Sequence, residues 1–122
     1  MHTIKIGIVG PCGAGKTSLA DRLSNQYSFV RAIAQEHSYV PSMWRQLTNP
    51  DILIYLDASY PVTIRRRKLN WTEVEYQIEL DRLAHARTNA DIIIATDALD
   101  LDDVAKKALQ ELEHFLANKG LV

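Results

Sequence analysis

Length, composition and charge exclude several classes of protein at the outset. A chain of 122 residues, 47% of them hydrophobic, has the size and apolar content of one domain spanning residues 1–122. Its single cysteine, Cys12, cannot form a disulfide within the chain, and no apolar run is long enough to cross a membrane. With 14 basic and 15 acidic residues, the chain has no general positive field for nucleic acid. We therefore expect a cytoplasmic protein that binds neither membrane nor nucleic acid.

The first half of the chain alternates predicted strands with helical segments. Residues 3–9 predict a buried strand, because apolar side chains fill it up to a glycine turn. A helix over 17–27 follows, and residues 29–34 predict a second, shorter strand. The connector 35–50 contains two prolines, which indicates a loop with one short helix over 42–47.

The second half continues the alternation. Residues 51–57, DILIYLD, are apolar on both faces, which is typical of a central parallel strand. A predicted helix covers 59–69, and a capping box at Thr72 opens the next helix. A fourth strand over 91–97 and a last helix from about Asp100 complete the pattern. The order predicts an α/β protein with a parallel sheet of about four strands and helices on both faces.

The segment GPCGAGKTS, residues 10–18, stands between the first strand and the first helix and matches the phosphate-binding spacing G-x-x-x-x-G-K-[ST]. Its glycines let the backbone curl so that N–H groups point inward at the positive end of the helix. Lys16, expected to be a solvent-facing charge and a catalytic residue, would reach the β- and γ-phosphates, and the Thr17 hydroxyl would bind Mg²⁺. An ordinary glycine turn is the alternative, although the pattern arises by chance in only about one of a few hundred such chains. The predicted nucleotide-binding residues of this loop are Gly10, Pro11, Cys12, Gly13, Ala14, Gly15, Lys16, Thr17 and Ser18.

With this loop and two longer segments, the chain resembles the P-loop kinases that phosphorylate small molecules, such as nucleoside monophosphate, shikimate, gluconate and dephospho-coenzyme A kinases. PDILIYLDASYPVTIRRR resembles the family's fourth strand with its arginine-bearing helix, and ADIIIATDALDLDDVAKKALQELEHFL resembles its fifth strand with the terminal helix. The resemblance implies a three-layer α/β/α core that binds ATP and Mg²⁺. No N-K-x-D motif, which reads guanine in GTPases, occurs in the chain.

Two parts of such kinases are reduced in this chain. Kinases of this type usually have two strands and an acceptor-binding segment before the strand matching 51–57, and this stretch is too short to hold all of them. The lid after the arginine-bearing helix shrinks to about residues 69–71, so no large flap closes over the phosphates to exclude water. We therefore favour an ATP-binding protein of kinase-like fold over an active small-molecule kinase with an unknown acceptor. One further alternative is a slow ATPase or a nucleotide-dependent module that binds a protein partner. Another is a homodimer in which the neighbouring chain supplies the missing lid or an arginine.

Charged residues outside the loop are the remaining candidates. Mg²⁺ commonly takes a protein carboxylate, and Glu36 and Asp57, each ending a predicted strand, are equally good candidates beside Thr17. Arg66, one of three consecutive arginines, is the candidate catalytic arginine, and a solvated helix face is the alternative. By the resemblance, Arg87 occupies the place where family members hold adenine or a phosphate, with an exposed charge as the alternative.

Segment 35–46 is unusually rich in aromatic and charged residues for a connector. If it lies over the carboxyl ends of the strands, it offers an acceptor or partner surface. The alternative, which we favour for Met43 and Trp44, is that these two side chains fill the core.

Overall fold

The computed structural model of the chain describes residues 3–35, 44–45, 48–67 and 71–118. The strands are β1 (Ile4–Val9), β2 (Val30–Ala34), β3 (Ile52–Asp57) and β4 (Ile92–Ala95). The helices are α1 (Lys16–Gln26), α2 (Tyr60–Arg67), α3 (Glu73–Asn89) and α4 (Leu101–Asn118). The predicted strands and long helices are confirmed, with boundaries shifted by about two residues or less, the usual uncertainty of element ends. Of the short helix predicted over 42–47, Trp44 and Arg45 fall within the described residues, and both are helical.

The four strands form one parallel sheet in the order β2-β1-β3-β4. β3 lies between β1 and β4, and its first five residues are buried. This confirms the central position that the two-sided apolar run predicts. Between α1 and β3, the described residues contain one strand, β2, which is hydrogen-bonded directly to β1.

Side chains of alternating strand residues divide the core into two layers. One layer, under α1 and α4, includes Ile6, Ile8 and Ile54. The other, under α3, joins Tyr55 to its neighbours Val9, Trp44, Leu53, Leu83 and Ala86. The fold is therefore the predicted three-layer α/β/α arrangement, with β1 and its following loop central to it.

Trp44 is buried in the layer under α3, with 7% of its surface exposed. Its indole Nε1–H donates to His85 Nδ1 at 3.0 Å, and the Arg45 guanidinium lies 4.8 Å from its ring centroid. Trp44 thus fills the core, as the favoured interpretation of this segment predicts. Met43 lies outside the described residues.

Helix starts in this fold are capped in different ways. At α3, the Thr72 hydroxyl accepts from the Glu75 backbone N–H at 3.2 Å, while the Glu75 carboxylate accepts from the Thr72 N–H at 3.0 Å. The predicted capping box is confirmed. By contrast, α1 starts after Gly15, which has no side chain to cap the helix. No helix in the described part of the chain is long and apolar enough to span a membrane.

Candidate functional site

The loop between β1 and α1 is held in a conformation that requires glycine at its start. Gly10 has a backbone φ of 155°, and a Cβ at this position would lie 2.4 Å from the carbonyl oxygen of Leu56 on β3. Further along, the Ala14 N–H donates to the Pro11 carbonyl at 3.1 Å, which closes a tight turn. The loop therefore lies directly against the carboxyl end of β3, and it connects β1 to the start of α1.

Lys16 is folded against this loop. Its Nζ donates to the carbonyl oxygens of Gly10, at 2.9 Å, and Pro11, at 3.2 Å, and only 4% of the residue is exposed. The expectation of a solvent-facing lysine is therefore wrong. The loop carbonyls attract the ammonium group because they offer it partial negative charge inside a concave backbone.

A cavity of about 390 Å³ opens where the loop meets α1. The first turn of α1, one residue of α2 and the start of α4 surround it, and its lining residues are Gly13, Gly15, Lys16, Thr17, Ser18, Arg66, Asp100 and Leu101. This volume falls within the usual range of small-ligand sites. Two cationic side chains and the positive end of a helix dipole share the cavity, and the one carboxylate in the lining, Asp100, accepts a hydrogen bond from the Asp103 N–H. The balance of charge therefore suits an anion.

Arg66 projects from α2 and joins the phosphate loop to the segment that leads into α4. Its guanidinium donates to the carbonyl oxygens of Thr96 at 2.6 Å, Leu99 at 3.0 Å and Ala14 at 3.5 Å. A further bond, of 2.9 Å, goes to the Thr96 hydroxyl. The planar guanidinium can make these bonds together because its donors form a fixed fork. Among the arginines of the run whose side chains are described, Arg66 lines the cavity, while a catalytic role for it stays a prediction.

Asp57, at the carboxyl end of β3, and Arg87, near the end of α3, lie on the face of the sheet that α3 covers. Arg87 Nη2 is 3.4 Å from Asp57 Oδ2, both side chains are partly exposed, and the guanidinium lies 5.4 Å from the Tyr55 ring centroid. Neither residue lines the cavity with Lys16. The structure therefore places Arg87 with Asp57, and its predicted contact with nucleotide stays a prediction.

The predicted magnesium residues are placed as follows. Thr17 lines the cavity in the first turn of α1. Asp57 follows Leu56, whose carbonyl oxygen faces Gly10, and its carboxylate is paired with Arg87 at 3.4 Å. Glu36 lies outside the described residues. Over the described part of the chain, no three His, Cys, Asp or Glu residues are grouped to hold a metal by themselves, so a magnesium ion would depend on phosphate oxygens as well.

Two tyrosines on the α3 side are held neutral. Burial raises the pKa of Tyr55 to about 12, and the charge of Asp57 adds to this effect. Burial, followed by the charges of Asp57 and Asp97, also raises the pKa of Tyr76, whose hydroxyl donates to the Ala58 carbonyl at 2.6 Å. Both phenols are therefore protonated at neutral pH and do not supply a phenolate base.

Several residues at the site were not predicted as such. Asp100 and Leu101 line the cavity, although the sequence indicated only the start of a helix there. On α3, Glu79 accepts a hydrogen bond from the Cys12 backbone N–H at 3.0 Å. A contact between residues this far apart in sequence leaves no local pattern, so only the folded structure could reveal it.

Comparison with known proteins places this geometry in a known fold. A shikimate kinase from Acinetobacter baumannii, solved in complex with shikimate, superposes with a TM-score of 0.67 over 96% of this chain and 95% of its own, at 20% sequence identity. An uncharacterized protein from Eubacterium ventriosum superposes with a TM-score of 0.61 over 91% of this chain and 99% of its own, at 11% identity. The fold is that of a P-loop kinase. No family model and no curated protein matches the chain, so the likeness extends to the fold alone.

Proposed function

We propose that this chain is an ATP-binding protein of kinase-like P-loop fold, which binds the triphosphate with Mg²⁺ at residues 10–17. The observation that carries the proposal is the cavity of about 390 Å³, in which the loop, the start of α1, Lys16 and Arg66 come together. A phosphate chain is the ligand class that uses all of these features, because it needs backbone N–H donors and positive charge at once. The kinase-like fold supports the choice of nucleotide.

Each part of the cavity has a role in this proposal. The backbone N–H groups of residues 13–18 would hold the phosphates, and Lys16 would exchange the Gly10 and Pro11 carbonyls for phosphate oxygens. Thr17 would coordinate Mg²⁺, with Asp57 or Glu36 as the candidate carboxylate. The ion, when bound, would neutralise charge on the β- and γ-phosphate oxygens. The apolar Leu101, whose side chain lies beside Gly15 in the cavity lining, offers a surface for the base.

The short connection between α2 and α3 favours nucleotide binding with slow turnover, in preference to rapid phosphoryl transfer. α2 ends at Arg67 and α3 begins at Glu73, which leaves only residues 68–72 for a flap between these two helices. Kinases rely on such closure to keep water from the reacting phosphate. Small-molecule kinase activity remains the second proposal, with an acceptor not yet identified. A protein partner or a homodimer that covers the site would serve the same purpose as a flap.

Isothermal titration calorimetry with MgATP tests the proposed function. We expect saturable binding at one site per chain, weakened when EDTA removes Mg²⁺. The absence of binding by the folded protein would overturn the proposal. A parallel assay with γ-labelled ATP, with and without a panel of metabolites, would then distinguish transfer to an acceptor from simple hydrolysis.

Alkylation of Cys12 offers an independent measure of nucleotide occupancy. Cys12 is partly exposed within the loop, between Pro11 and Gly13. We expect saturating MgATP to slow its reaction with iodoacetamide at least severalfold, because bound phosphate orders the loop and restricts approach to the thiol. Mass spectrometry of the labelled peptide would give the rate. Unfolded protein is the control, since its labelling should not depend on MgATP, and equal rates for the folded protein with and without MgATP would contradict the assignment.

A further inference from the structure

A carboxylate from α3 is bound to the phosphate loop. Glu79 Oε1 accepts a hydrogen bond of 3.0 Å from the backbone N–H of Cys12, the third residue of the loop. A negatively charged acceptor makes this a charge-assisted bond, which is stronger than one between neutral groups. Glu79 is therefore anchored to a segment whose backbone N–H groups are proposed to bind phosphate.

Lys16 and Glu79 contact the same short stretch of backbone. The Lys16 ammonium is bound to the carbonyl oxygens of Gly10 and Pro11, and the Glu79 carboxylate to the N–H of the next residue, Cys12. In phosphate loops of this spacing, the lysine reaches the outer phosphates of the nucleotide. The phosphate that Lys16 contacts would therefore lie near the Glu79 carboxylate.

The surroundings of Glu79 are acidic. Three carboxylates, those of Asp57, Asp97 and Glu79, act together on the Tyr76 hydroxyl and, after burial, raise the pKa of Tyr76. Arg87 is paired with Asp57 at 3.4 Å, and the Asp97 carboxylate accepts from the Ser59 N–H at 2.9 Å. An anionic group that approaches the loop from this side meets negative charge. On the cavity side of the loop, two positive side chains, Lys16 and Arg66, outnumber the one carboxylate in the lining, Asp100.

We propose that Glu79 is a specificity-determining residue of the nucleotide site, which disfavours the terminal phosphate of a triphosphate relative to a diphosphate. The inference rests on the proposed function, because it concerns the same loop. A diphosphate can occupy the cavity while Glu79 stays on the Cys12 N–H. A terminal phosphate near Lys16 must either lie beside the carboxylate, at a cost from like charges, or displace it from the loop.

Replacement of Glu79 by glutamine tests this inference, because the amide keeps an oxygen for the Cys12 N–H and removes the charge. We expect E79Q to bind MgATP more tightly by a factor on the order of three to ten, and MgADP by a clearly smaller factor. The difference between the gain in MgATP affinity and the gain in MgADP affinity should become smaller at high salt, because ions screen partly exposed charges. Calorimetric titration of both nucleotides against wild type and variant gives the four affinities required.

Two further variants test whether the charge of Glu79 or merely any lost negative charge on α3 changes the affinities. E73Q removes one negative charge from the exposed first turn of the same helix and should leave both affinities unchanged. E79A removes both the charge and the hydrogen bond, and it should also favour MgATP if charge is the determinant. An E79Q protein with wild-type affinities, or with equal gains for both nucleotides, would overturn the inference while the proposed function stands. Failure of the folded wild-type protein to bind either nucleotide would instead overturn the proposed function, and the inference with it.

Discussion

Replacement of Lys16 by methionine is expected to weaken MgATP binding by about 10- to 100-fold. Lys16 is already bound to the loop through the Gly10 and Pro11 carbonyls, and it can transfer its donors to phosphate without leaving the site. Hydrogen bonds to charged groups contribute about 1.5–3 kcal/mol each, which corresponds to this range. Methionine keeps an unbranched stem of similar length and loses only the donors and the charge.

The burial of Lys16 adds a second expected effect. Since its ammonium donates to two loop carbonyls in the ligand-free protein, the methionine variant should also lose about 1–3 kcal/mol of unfolding free energy. Urea denaturation measures that loss, and calorimetry at a temperature where the variant is folded measures binding. K106M, which changes an exposed lysine on α4, is the matched control for the loss of one positive charge. A folded K16M protein that binds MgATP as tightly as wild type would refute the phosphate-loop assignment.

Replacement of Gly10 by alanine is expected to have the largest effect on stability. The added Cβ would lie 2.4 Å from the Leu56 carbonyl oxygen, and the backbone φ of 155° is one that residues with side chains rarely adopt. Backbone of β3 cannot move away without breaking its pairing with β1 and β4. We expect a loss of about 3 kcal/mol or more in unfolding free energy.

Gly15 provides the comparison for this prediction. Its φ is 98°, and a Cβ there would meet only the end of the Leu101 side chain, at 3.2 Å. Since that side chain can rotate, G15A should lose about 1–2 kcal/mol, mostly from the left-handed backbone conformation. Chemical denaturation of both variants gives the two free energies. A smaller loss for G10A than for G15A would contradict the close approach of the loop to β3.

The amino-acid sequence by itself determined the secondary structure of this protein and the place of its glycine-rich loop, residues 10–17, between β1 and α1. The run 51–57 became β3 because its apolar residues suit a strand buried on both faces. The pair Thr72 and Glu75 formed its capping box because both partners lie within one helical turn. The loop 10–17 could be recognised for a similar reason, since Lys16 bonds to the carbonyl oxygens of Gly10 and Pro11, a few residues before it in the chain. Each of these features is indicated by residues that lie close together in sequence.

Only the tertiary structure decided how distant residues combine at the site. The phosphate loop meets the Glu79 carboxylate from α3, and Arg66 closes one side of the cavity through the Thr96 and Leu99 carbonyls. Asp57 and Arg87, considered separately in the sequence, pair with each other. Such contacts are set by the order of strands in the sheet and by which helix covers each face, and both follow from packing of the whole core. A charged residue in the sequence shows no preference among these partners until the core has brought one of them within reach.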